Sequence, residues 1–170
     1  MIPIRTSNRK QGYTLAQGLL LDMIDEAFGK KAWHGPNLRG SLRGISVQEA
    51  VWRPAVRRHN IWEIAVHAAY WKYAVRRRIL GEKRGSFPLK GSNWFRRPVR
   101  NTLEAWRSDI ALLEETHEAM RQAIAEIPPF WLHRIQGKTQ HTYAQLIYGI
   151  ASHDVYHAGQ IQLLKKLQST

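Results

Sequence analysis

At five candidate helix starts along this chain of 170 residues, a short polar residue stands three positions before a Glu or Gln. The pairs are Thr14 and Gln17, Ser46 and Glu49, Asn60 and Glu63, Asn101 and Glu104, and Thr142 and Gln145. In a capping box the first side chain accepts an early backbone N–H of a helix, and the second reaches back to the cap's own N–H. Four of the five open long segments with apolar residues at helical spacing, which ties most of the chain to helix. The first helix is predicted over about 15–28, with Leu15, Leu19, Met23 and Ala27 on one stripe and Gly29 as its stop. The second spans about 61–80, with Ile64, His67, Ala68, Trp71 and Val75 on its stripe, and ends at Gly81. The third spans about 103–127, with Leu103, Trp106, Ile110, Leu113, His117, Met120, Ile124 and Ile127, before Pro128 and Pro129. The fourth spans about 143–167, with Leu146, Ile150, His153, His157, Ile161 and Leu164. Ser46 opens a short helix that ends near Pro54, and nothing reads as a strand.

Four amphipathic helices must bury four stripes against one another. The expectation is therefore an all-α fold, a four-helix bundle forming a single domain over 1–170. The links 29–59 and 82–100 are long and rich in Gly, Pro and Arg. They permit crossovers, so a simple up-down-up-down order does not follow.

Composition narrows the function classes. At 44% hydrophobic and 23% charged residues the chain is too apolar for intrinsic disorder. It has no cysteine, which excludes disulfides, thiolate metal sites and a Cys nucleophile. The opening MIPIRTSNRKQGYT lacks the apolar region of a signal peptide. No apolar run approaches the ~20 residues needed to cross a bilayer. A cytoplasmic protein without a membrane partner is expected. The net charge is +13, with local clusters at Arg57-Arg58, Arg76-Arg77-Arg78 and Arg96-Arg97. None is interleaved with aromatics in a nucleic-acid motif, so the charge reads as a solvated basic surface.

Histidine is normally a surface or intermediate residue, yet His67, His153 and His157 fall on apolar stripes. His153 and His157 are one helical turn apart, so both rings can address one point, and His67 is the natural third from another helix. Three neutral imidazoles match the ligand demand of Zn²⁺, Ni²⁺ or Fe²⁺, and three protein ligands leave a coordination position open. The competing reading is that these are hydrogen-bonded core histidines, since HxxxH spacing also arises by chance. His117 shares an apolar stripe and reads as a buried imidazole rather than a fourth ligand. Glu63, one turn before His67, is a candidate base, although a capping role already explains it. Asp154 is expected to point off the histidine face toward a surface or interface. Tyr156 and Gln160 flank His153 and His157 as candidate hydrogen-bond partners. Trp94-Phe95, in the second long link, is a candidate cover for the mouth of the site or a loop anchor.

Two segments carry a family resemblance: Asn60-Ile-Trp-Glu-Ile-Ala-Val-His67-Ala-Ala-Tyr-Trp71-Lys, and His153-Asp-Val-Tyr-His157-Ala-Gly-Gln160-Ile. With them the chain resembles the DinB-like (DNA-damage-inducible) superfamily, which includes the YfiT-like group described as metal-dependent hydrolases. The resemblance implies a four-helix bundle with a long crossover between the second and third helices. It also implies a three-histidine metal site on His67, His153 and His157, and frequent homodimers. Members with known activity are largely transferases or isomerases that use bacillithiol, mycothiol or glutathione.

The leading expectation is a metal-dependent thiol S-transferase acting on a small electrophile. Because the chain has no cysteine, the nucleophilic thiol would come from a low-molecular-weight cofactor. Arg57, Arg58, Arg96 and Arg97 are candidate anchors for an anionic cofactor. The alternatives are a hydrolase using metal-activated water, with Glu63 handling protons, and a non-catalytic metal-binding stress-response module.

Overall fold

A computed structural model of the chain describes residues 13–137 and 139–169. The opening stretch on which the absence of a leader is read lies almost wholly outside the described residues. Four long helices, α1 (Leu15–Phe28), α4 (Ile61–Leu80), α5 (Leu103–Ala125) and α6 (Tyr143–Gln168), are joined by links that hold two short ones, α2 (Leu38–Ser41) and α3 (Val47–Val51), and a 3₁₀ turn at Pro129–Trp131. Among the described residues there is no strand, only one isolated bridge between Ile135 and Thr142. The fold is the all-α bundle expected from the spacing.

The start signals act as caps with one shift of register. Ser46 with Glu49 and Thr142 with Gln145 form complete capping boxes. Asn60 accepts the Glu63 N–H at 2.7 Å. At α5 the cap is Thr102, which accepts from Ala105 N–H at 3.2 Å, and not its neighbour Asn101. Thr14 caps α1, but the Gln17 amide does not reach back. It donates instead to the carbonyls of Ala125 and Ile127, at 3.0 and 3.1 Å, satisfying acceptors that the end of α5 leaves open. The α5 helix stops at Ala125, three residues before Pro128, whose ring disfavours helix in the residue ahead of it.

The four long helices form a ring in which α4 packs on α5 and α6, and α1 packs on α6 and α5. Trp62 near the start of α4 lies against Trp106 and Asp109 near the start of α5. Farther along, Lys72 and His117 both lie against the Phe28 ring. Equal advance along both helices makes α4 and α5 parallel, so residues 81–102 are a crossover. By contrast, α6 runs antiparallel to α4, pairing His157 with His67 and Asp154 with Lys72.

The predicted stripe of α1 is corrected. Leu15, Leu19 and Met23 are 73%, 57% and 44% exposed, and of the expected four only Ala27 is buried. The inward face is Leu20, Leu21, Ile24 and Phe28, together with the polar Gln17 and Asp25. Apolar residues cover most of this helix, so polarity alone could not choose the face. Tertiary partners chose it: Gln17 finds the end of α5, and Asp25 finds Arg121 and Lys30.

Candidate metal centre

Fourteen of the 20 residues of α4 are buried, with Ala65, Ala68 and Ala69 letting its neighbours approach closely. That central position carries His67 into the interior, where the HxxxH pair of α6 meets it. The Nε2 of His153 lies 3.1 Å from Nε2 of His67 and 3.0 Å from Nε2 of His157. One nitrogen from each ring falls within 4.8 Å of the others, the one such group of metal-ligating side chains among the described residues.

The outer nitrogens explain why the inner ones converge. His67 Nδ1–H donates to the Asn93 carbonyl at 2.8 Å, which leaves a lone pair on Nε2. His157 Nδ1–H donates to Gln160 Oε1 at 2.7 Å, and the Gln160 amide donates on to the Tyr156 hydroxyl at 2.9 Å. Two lone pairs are thus turned toward His153 Nε2, which has one proton at most to offer. The buried Nδ1 of His153 has no partner. A cation that accepts three lone pairs resolves this conflict. A tetrahedral ion with metal–nitrogen bonds of 2.0–2.1 Å places its ligands about 3.3 Å apart, close to the two separations observed. The residues therefore fit a divalent metal such as Zn²⁺, Ni²⁺ or Fe²⁺.

Electrostatics agree. Burial, with smaller contributions from neighbouring imidazoles and Lys72, pushes His153 down to about 3. Burial also lowers His157, to about 4. His67 is lowered by the same cause. All three rings are neutral near pH 7, the form that binds metal.

The crossover link roofs the site. Trp94 stacks on His67 at 3.8 Å between ring centres, and His59 stacks on Trp94 at 3.6 Å. Phe95 is buried against Tyr70 and Phe87 as the anchor. Gly91, at φ +119°, lies under the Phe95 ring, where an added Cβ would sit 3.4 Å from the ring edge. Trp94 and Phe95 thus divide the two roles read for them, cover and anchor. Asn93, which the sequence reading passed over, holds both sides of the mouth. Its carbonyl fixes His67, and its side-chain oxygen accepts from Trp71 Nε1–H at 2.9 Å. Its φ of +66° is a conformation asparagine tolerates better than most residues, and its place before Trp94 in a Gly-rich loop was the available signal.

Other candidates sit elsewhere. Glu63 is gripped by Arg53 through two hydrogen bonds, 2.6 and 2.8 Å, and by His59 and the Arg97 N–H. Burial alone would raise its pKa, but these donors outweigh it and hold the carboxyl below its usual range. The geometry makes Glu63 a clamp between the two links rather than a free base. Arg57, Arg58 and Arg96 are exposed, and Arg97 is paired with Asp109 at 2.6 Å. Asp154 is corrected from surface to interior: it is 2% exposed and pairs with Lys72, which is 0% exposed. On α6 it lies about 100° round from His153, facing the core while His153 faces the mouth. His117 stands apart, stacked on Phe28 at 3.6 Å. Beside His153 a cavity of about 430 Å³ opens between α4 and α6, bordered by Trp71, Val75, Arg78, Leu146 and Ile150.

The sequence profile of the DinB superfamily matches residues 32–161, a span that contains all three histidines and both helices that carry them. Comparison with curated proteins and with solved structures finds no match. With three-quarters of its length matched to that profile and a buried three-histidine group in its bundle, the chain belongs to the DinB superfamily.

Proposed function

We propose that this protein is a divalent-metal-dependent enzyme, a thiol S-transferase acting on a small electrophile. The observation that carries the proposal is the convergence of three neutral imidazoles, two of them oriented from behind and the third, His153, at the wall of an open cavity. An ion held by His67, His153 and His157 would supply Lewis acidity and lower the pKa of a thiol that ligates it. Everything else falls to the chain. Asn93 and Gln160 keep the ligating nitrogens aimed, Trp94 covers His67, and the Trp71 ring walls the approach. The sulfur then forms a bond to the electrophilic carbon, the leaving group departs with the bonding pair, and the thiol proton goes to solvent. A low-molecular-weight thiol must be the nucleophile because the chain has no cysteine.

A homodimer in the cytoplasm is the setting we propose. Leu15, Leu19 and Met23 on α1, spaced four residues apart, form an exposed apolar stripe suited to a second copy. No described helix is long and apolar enough to cross a membrane.

Elemental analysis of untagged protein beside a His153→Ala/His157→Ala variant tests the metal reading. Near-stoichiometric metal in the wild type, lost from a still-helical variant, is expected. Equal metal content in both sinks the proposal. Product formation that needs an added thiol supports transfer, whereas turnover without one would reassign the site to hydrolysis.

A further inference from the structure

We propose that the cavity beside His153 takes an electrophile with an apolar body and a carboxylate, and that Arg78 is the residue that binds the carboxylate. This rests on reading the three histidines as the reacting centre. Arg78 lies eleven residues after His67, three turns along the same face of α4, with Trp71 and Val75 between them. Its guanidinium carbon lies 5.6 Å from the centre of the Trp71 ring. That ring centre is in turn 6.2 Å from the His153 ring centre. The cation and the metal-ligating ring are therefore at most about 12 Å apart along one cavity wall, which is the reach of a small molecule.

What Arg78 lacks points to an anion. Arg39, Arg53, Arg76, Arg97 and Arg121 each pair with a carboxylate. Arg78 is half-buried and pairs with none among the described residues, and neither Asp nor Glu borders the cavity. Beyond this contact with the indole, the guanidinium N–H groups of Arg78 donate to no described residue. Those donors match the two oxygens of a carboxylate. Burial and the nearby cations Arg77 and Arg84 press on its charge, which an incoming anion would relieve. Val75, Leu146 and Ile150 give the wall an apolar stretch beside Trp71, and His141, Gln145 and Tyr148 are its remaining polar side chains. That apolar stretch suits a hydrocarbon or aromatic body.

The test is binding to the metal-free protein, where no ion competes for the carboxylate. Titration calorimetry would compare 4-phenylbutyrate with its neutral amide. At least tenfold tighter binding of the acid is expected, with that preference abolished in Arg78→Gln and kept in Arg107→Gln, a charge-matched change on the exposed face of α5. Equal binding of acid and amide, no binding of either, or a preference that survives Arg78→Gln would overturn the proposal. A carboxylate also comes with a thiol cofactor, so mutual exclusion of glutathione and 4-phenylbutyrate would give the pocket to the thiol and overturn it as well. Metal content of the same variants separates the two readings. Arg78→Gln should load metal like wild type. An intact acid preference in a protein that binds no metal would sink the metal reading and leave the anion pocket standing as a binding site alone.

Discussion

Asn93 does at residue scale what neither histidine-bearing helix can do by itself. It ties His67 to the crossover through its carbonyl and Trp71 through its side chain. Partners behind metal-ligating histidines are typically worth 10- to 100-fold in affinity. Asn93→Leu should therefore weaken Zn²⁺ binding by roughly that factor, because the left-handed backbone disfavours leucine and the Trp71 bond is lost. Asn93→Gly keeps the backbone carbonyl in place and should lose less. Competition with a chromophoric chelator measures both, and equal affinities in all three proteins would refute the role. His117 makes a second prediction. Burial, reinforced by Lys72 from α4 and Arg121 on its own helix and opposed by Asp25 from α1, drives it to about 2. The unfolded chain takes up the proton near pH 6.5 and the folded chain does not. Stability is thus complete above pH 6.5 and falls as pH drops toward 2, by about 1.4 kcal/mol per pH unit. His117→Leu should remove this one group's share from the fall of urea-unfolding stability between pH 6.5 and 5, while His67, His153 and His157 keep theirs. An unchanged pH slope would show that His117 is not the group responsible.

Elements lock onto one another here through buried polar groups, and those were the parts the sequence hid. The helices, their caps and the convergence of His67 with His153 and His157 were legible because periodicity and capping are local. The inward face of α1, the pairing of Lys72 with Asp154, and the Arg53–Glu63–His59 clamp were not. The first two depend on partners from distant segments and the clamp on how the first link folds back onto α4, and a Lys or Asp reads as surface until its partner is known. Lys72 and Asp154 join α4 to α6 directly beneath the histidines. Removing one member leaves a buried charge unmatched, which costs about 3–5 kcal/mol. Asp154→Leu should lower the chemical-denaturation free energy by that amount. The double variant Lys72→Met/Asp154→Leu should recover most of the loss, since two apolar side chains of similar size need no partner. Failure of the second change to restore stability would mean that the pair acts through something other than charge balance.

For the whole molecule, the decisive property is a net charge of +13 distributed so that one helix escapes it. No Lys or Arg lies within α1, which carries Asp22, Asp25 and Glu26 beside the exposed Leu15, Leu19 and Met23. Two copies that meet through this face bury apolar surface while keeping their basic surfaces apart. The remaining like charges still repel across the pair, and that repulsion is screened over about 8 Å at physiological ionic strength. Salt should therefore tighten a dimer built this way. Adventitious binding of nucleic acid to the same basic surface would instead weaken steeply with salt, as released counterions require. Sedimentation at 0.05 M and 0.3 M NaCl distinguishes the two. The expected result is a dimer whose dissociation constant falls as salt rises, and a monomer of unchanged helix content for Leu19→Glu/Met23→Glu at either concentration. A wild type that stays monomeric at both salts would remove α1 from consideration as an interface and leave its apolar stripe unexplained.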